Sequence, residues 1–143
     1  MPTVKKILVP LDFSATSTQV LDFARLLADA CRASLDVVHV VGVPLDKPER
    51  SGEEQRNARR RLEALLDQTD RDRRRATVSC LVGAPGDEIV RHATDHAIDL
   101  IVMGTHSHGP TFQMVIGSVA EHVVRRAPCA VLTVKDAGRR QSE

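Results

Sequence analysis

The sequence predicts an α/β fold: an open five-stranded parallel sheet, doubly wound, with helices on both faces. Three observations carry that expectation. Five short apolar runs are spaced along the chain, each too short to be a buried helix and each ending near glycine or proline. Between them lie segments whose apolar residues recur at helical spacing. Strands that alternate with amphipathic helices form βαβ units, which place parallel strands in one sheet and cover it with helices. A length of 143 residues fits a single domain over 1–143, with a polar tail from about Asp136 to Glu143.

The first strand is the run Ile7–Leu11. Pro10 cannot donate to a central ladder, so the strand is expected to end there and leave Leu11 and Asp12 in a loop. Ser14 is placed to N-cap the next helix. In that helix Val20, Phe23, Ala24, Leu27, Ala28 and Cys31 fall on one face. Leu35–Val41 is the second strand, closed by Gly42 and Pro44. Lys47 to Arg75 carries ten Lys/Arg and seven Asp/Glu with the signs interspersed, the pattern of a solvated helix more than of a nucleic-acid patch. Within it Ala58, Leu62, Leu65 and Leu66 form a narrow apolar stripe from about Glu53 onward, and Pro44 to Ser51 is expected to be mobile. Ala76–Val82 is the third strand, stopped by Gly83 and Pro85. Asp87 and Glu88 suit the first turn of a helix reaching about Ala97, since carboxylates there oppose the helix dipole. Ile98–Met103 is the fourth strand. Ile116, Val119, Ala120, Val123, Val124 and Ala127 repeat the helical spacing, Pro128 ends that helix, and Ala130–Val134 is the fifth strand.

Composition excludes several classes of function. Lys+Arg 20 against Asp+Glu 19 leaves a net charge of +1, so no bulk field attracts a polyanion. The aromatic residues are Phe13, Phe23 and Phe112, too few for the stacking platforms of single-stranded nucleic-acid binding. Cys31, Cys80 and Cys129 are odd in number and far apart, which fits buried reduced thiols. No apolar run reaches membrane-spanning length, and the start MPTVKK lacks the apolar segment of a signal peptide, so the cytoplasm is the expected location.

The stretch Asp99 to Ser118, DLIVMGTHSHGPTFQMVIGS, carries the chemistry. A buried strand feeds a glycine-containing loop and then a helix start at Gly117–Ser118. Free backbone N–H groups and the positive end of a helix dipole favour an anion at such a place. The stretch is neither a P-loop, which needs Gly-Lys-Ser/Thr, nor the GxGxxG dinucleotide fingerprint.

This stretch resembles the nucleotide motif of the universal stress protein family, G-x2-G-x9-G-[ST]. Gly104 matches the first glycine and Gly117–Ser118 the closing pair, while Ser107 stands at the middle glycine with Gly109 two residues later. The opening KKILVPLDFS, the segment DVVHVVGV and the ending GSVAEHVVRRAPCAVLTV are similar to the same family, so the resemblance spans nearly the whole chain. It implies a Rossmann-like sheet of order 3-2-1-4-5, whose reversal lies between strands one and four. Ligands in such sheets bind beyond the carboxyl ends of the strands at the reversal, where Asp12 and Gly104 both fall. It further implies an adenine-nucleotide site with ATP, with or without Mg2+, held by Pro10, Leu11, Asp12, Val40, Met103, Gly104, His106, Ser107, Gly109, Gly117, Ser118 and Val119. In that set Asp12 lies against the nucleoside, the main chain of Val40 reads the adenine edge, and His39 packs within the sheet. In the order 3-2-1-4-5 Ala130–Val134 lies at the sheet's end, an apolar edge with no charge or proline to block pairing; a homodimer through it is expected, as the resemblance also implies, and the alternative is that the tail from Lys135 folds back over the edge.

Alternatives stand beside these roles. Asp12 either contacts the ligand or caps the helix after it. Glycine at 117, near a helix start, costs up to about 1 kcal/mol relative to alanine, which favours function over turn punctuation. Serine at 107 adds about 1–2 kcal/mol of strain if the turn is left-handed; otherwise Gly109 absorbs the turn. His92 and His96 share a helix face but lack the three or four ligands of a zinc site, and surface positions are expected for both. No catalytic triad or carboxylate pair can be assembled. The functional expectation is an adenine-nucleotide-binding stress or regulatory module, acting on an unknown protein partner, with no dedicated catalytic residues. Two rivals remain: a dimeric interaction protein that binds no nucleotide, and a slow ATPase using His106.

Overall fold

The computed structural model describes residues 2–42, 51–105 and 117–135. The strands are β1 (Lys6–Pro10), β2 (Ser34–Val41), β3 (Thr77–Val82), β4 (Leu100–Gly104) and β5 (Ala130–Val134). The helices are α1 (Ser17–Cys31), α2 (Ser51–Leu65), α3 (Gln68–Asp72), α4 (Pro85–Asp95) and α5 (Ser118–Arg126). All five strands pair in parallel in the order β3-β2-β1-β4-β5. The fold is thus the Rossmann-like α/β sheet that the alternation of strands and helices leads one to expect.

Side chains alternate across a strand, and the core divides accordingly. Ile7, Val9, Leu35, Val37, Val102 and Val134 face one side, where Leu21, Ala24 and Ala28 of α1 and Leu62 of α2 cover them. Leu8, Val38, Ile101 and Met103 face the other, under Ile89 and Ala93 of α4 and Ala120 and Val123 of α5. Gly86 lets α4 and α5 approach closely, since a Cβ there would lie 2.6 Å from His122 Cδ2.

Several expectations shift. Helix α1 starts at Ser17 with Thr16 as N-cap and no side-chain cap, while Ser14 gives its carbonyl to Ser17 N–H (3.1 Å) and pairs its hydroxyl with the Thr16 hydroxyl (3.0 Å). Its buried stripe runs through Ser17, Val20, Leu21, Ala24 and Ala28, so Phe23 is 47% exposed and Cys31 is exposed too. Cys80 and Cys129 are half-buried rather than buried, and burial raises the pKa of both thiols. Strand β4 begins at Leu100 because Ile98 N–H still bonds Ala93 O, closing α4, and Asp99 N–H bonds Lys6 O. Helix α4 ends at Asp95 rather than Ala97, where the backbone turns left-handed (φ 52°). His92 is buried: its Nε2–H donates to Asp36 Oδ2 (2.7 Å), and exposed His96 stacks on it at 4.0 Å.

Helix α3 escaped the periodicity because it is a single short turn. It is held by a reciprocal cap, in which Asp67 accepts from Asp70 N–H (2.8 Å) and Asp70 accepts from Asp67 N–H (2.9 Å). Asp70 is fully buried and receives Arg25 and Arg74, both at 2.6 Å. Burial opposes its ionisation most strongly. The hydrogen bonds from Arg25, the Asp67 backbone and Arg74 together outweigh burial and hold its pKa at about 2.

Candidate functional site

Between β1 and β4 the order in which strands join the sheet reverses, and the two strands part there. The β1–β4 ladder registers Ile7 with Leu100 and Leu8 with Ile101 and goes no further, although both strands continue. Above that point β1 stays with β2, to Pro10 opposite Val38, and β4 stays with β5, to Gly104 opposite Val134. The carboxyl ends of the two central strands are therefore committed to different neighbours. The gap between them is the topological switch point of an open α/β sheet.

The β1 side of the crevice is fixed atom by atom. Leu11 N–H donates to Val38 O (2.8 Å), a backbone bond that continues the β1–β2 ladder past Pro10. Backbone groups of alternate residues leave a strand on the same edge. The N–H and C=O of Val40 thus project from the β1-facing edge of β2 at a level β1 no longer occupies. His39 Nδ1 lies 2.7 Å from Leu11 O, and since a carbonyl only accepts, the ring carries its proton there. His39 is half-buried and serves to tie the loop down, a more specific role than packing within the sheet.

Asp12 is exposed at the lip. Its Oδ1 accepts from Ser14 N–H (2.9 Å) and lies 3.5 Å from Ser17 Oγ. The capping alternative is met in part, because these bonds shape the turn leading into α1 while Thr16, not Asp12, is the N-cap. Phe13 follows with φ 61°, a left-handed conformation that costs a non-glycine residue about 1–2 kcal/mol. Its ring packs 4.5 Å from the His39 ring and carries the Arg61 guanidinium 3.9 Å above its centroid. Neither Phe13 nor Arg61 belongs to the set expected from sequence. A left-handed backbone at phenylalanine leaves no trace in composition, and Arg61 is one of a run of three arginines.

The β4 side brings together Met103, Gly104, Gly117, Ser118 and Val119. Met103 is buried beneath the crevice. Thr105 N–H donates to Val134 O (3.2 Å), and Gly117 N–H donates to Thr105 O (3.1 Å), so the chain leaving β4 and the chain entering α5 meet side by side. Gly117 is the N-cap of α5 with φ −59° and ψ 153°, a backbone open to any residue, and no side chain caps the helix. Because the Gly117 N–H is already engaged and the first helical bond runs from Glu121 N–H to Gly117 O, the helix-start N–H groups without an intrahelical partner are those of Ser118, Val119 and Ala120. Gly117 is buried, and its φ does not call for glycine. His106, Ser107 and Gly109 lie outside the described residues.

Other polar groups lie apart from the crevice. His122 Nε2 is 2.8 Å from Asp87 Oδ1, close enough for an ion pair when the ring is protonated, but not aligned for a hydrogen bond. No cluster of His, Cys, Asp or Glu among the described residues is arranged to hold a metal ion. No helix among them is long and apolar enough to cross a membrane.

The comparisons with known proteins agree with this architecture. A universal stress protein of Methanocaldococcus jannaschii is 31% identical over 142 residues, covering 92% of this chain and 82% of that one. Another protein of the same organism has a solved structure that aligns with a TM-score of 0.81 at 28% identity, over 94% of this chain and 97% of its own. A universal stress protein solved in complex with cAMP aligns with a TM-score of 0.65 at 26% identity, over 93% of this chain and 98% of that chain. Residues 3–135 match the sequence profile of the Universal stress protein family, and the chain belongs to that family.

Proposed function

We propose that this protein binds an adenine nucleotide, with ATP as its ligand, at the crevice between β1 and β4, and acts as a nucleotide-responsive stress or regulatory module. The observation that carries this reading is the early end of the β1–β4 ladder. In this reading the Val40 main-chain edge, the Asp12 carboxylate and the uncapped start of α5 flank the gap it leaves. These are complementary to three parts of a nucleotide: a base edge, a ribose and an anionic phosphate chain. The structural relative solved with cAMP supports the nucleotide class. Mg2+ would enter with the polyphosphate.

The decisive measurement is thermal melting with millimolar Mg-ATP. A ligand at one hundred times its Kd stabilises the native state by about 2.7 kcal/mol, which for a domain of this size is a rise of roughly 5–10 °C. GTP should give a smaller shift, because the Val40 edge would select the base. Mass spectrometry of the small molecules released on denaturing fresh protein identifies the resident nucleotide; intact ATP supports the module, and bound ADP with turnover favours the slow ATPase. A melt unmoved by saturating ATP ends the nucleotide reading in favour of a nucleotide-free interaction protein.

A further inference from the structure

We propose that Phe13, His39 and Arg61 form a clasp that holds the Asp12 loop in its ligand-receiving shape, which makes Phe13 and Arg61 positioning residues for the crevice. The inference rests on the nucleotide reading for its effect on affinity. Each residue of the loop is tied to something outside itself. Leu11 is bonded at both its N–H and its C=O, to Val38 O and His39 Nδ1. Asp12 closes on Ser14 N–H and reaches Ser17 Oγ. Between them Phe13 stands in a left-handed conformation that a bulky side chain avoids. Such strain persists only where surrounding contacts over-determine it. The contacts present include the His39 ring, tilted at 4.5 Å, the Arg61 guanidinium 3.9 Å over the Phe13 centroid, and packing of the ring against the α1-side core.

The three components come from separate elements. His39 is on β2, next to the main-chain edge of Val40, and Arg61 is on α2. Helix α2 is seated independently of the clasp by buried Ala58 and Leu62 and by Gln55 Nε2, which donates to Cys80 O (3.1 Å). Arg61 is exposed, adjoins Leu62, and spends its guanidinium on an aromatic face rather than in solvent alone. The Asp12 turn is thereby referenced to the same strand that presents the base-reading edge, so carboxylate and edge keep a fixed separation.

The test combines Mg-ATP titration calorimetry with amide hydrogen exchange at Leu11 and Ser14. Arg61→Ala, an exposed change that leaves the urea midpoint close to the parent's, should weaken Mg-ATP roughly five-fold and speed Ser14 exchange. Arg61→Lys should keep affinity within about two-fold, since an ammonium also sits on an aromatic face. Phe13→Ala should weaken binding further, Phe13→Tyr should restore it, and adding Arg61→Ala to Phe13→Ala should change nothing more, because the partner ring is already gone. Parent-like affinity and exchange in folded Arg61→Ala and Phe13→Ala, or strictly additive losses, overturn the clasp. A parent that binds no nucleotide overturns the functional reading instead, and the exchange rates still decide whether the clasp holds the loop.

Discussion

Asp70 shows how much of this molecule depends on single side chains that no motif announces. Its carboxylate is fully buried and held by Arg25 and Arg74. Its pKa of about 2 lies below the ordinary 3.8, so folding favours the ionised form. The resulting stability is fully present above pH 4 and is lost as pH falls from 4 through 2, about 2 kcal/mol in all. Urea denaturation at pH 7, 4 and 2.5 should show that limb, and Asp70→Asn should flatten it. The same variant should lose about 3 kcal/mol at pH 7, because Arg25 and Arg74 would then lack their shared anion. At the crevice, Gly117→Val should abolish the ATP-induced rise in melting temperature by setting a branched side chain beside the Ser118 and Val119 donors. Ser107→Gly should preserve or strengthen it. Tighter binding by Gly117→Val than by the parent would move the phosphate site elsewhere.

Elements were legible where periodicity is strong and their ends where proline or glycine stands. Ala130–Val134 and the stop of β1 at Pro10 follow directly from the residues. The start of α1 does not, because Asp12 and Ser14 both have cap chemistry and both spend it in a turn three residues early. The position of α1's buried stripe is set by the sheet beneath it. Leu21 goes inward and Phe23 outward although both fit a helical repeat. Of the candidate site, the two glycines and Asp12 could be read from the chain, whereas the contacts of Phe13 join residues far apart in sequence through an unusual φ. Helix contact gives a further prediction. Gly86→Ala would set its Cβ 2.6 Å from His122 Cδ2, 2.9 Å from Cγ and 3.2 Å from Cβ, so the ring must turn away and the root of the side chain stays tight. It should destabilise by about 1–3 kcal/mol in chemical denaturation. His122→Ala in the same chain should recover most of that loss, which is the signature of a steric pair.

For the whole molecule, the strand order leaves β5 at one end of the sheet, with Ala130, Leu132 and Thr133 exposed and no charge along its length. We propose that this edge pairs antiparallel with its copy across a two-fold axis, satisfying both backbones at once. Sedimentation at tens of micromolar should report a dimer, and Leu132→Lys with Thr133→Lys, both at exposed positions, should return it to monomer with the fold intact; a monomeric parent would count directly against the interface. The position of β1 has another consequence, which concerns synthesis. Lys5 and Lys6 N–H both donate to Asp99, and Ile7 and Leu8 register with Leu100 and Ile101. On the ribosome, β1 can pair with β2 early, but its other edge has no partner until β4 leaves the exit tunnel. Contacts so distant in sequence form late, and an unpaired apolar strand is an aggregation hazard while it waits. The strand that lines the crevice in the finished protein is therefore the one most in need of shelter in the nascent chain, and the crevice cannot exist before β4 has docked.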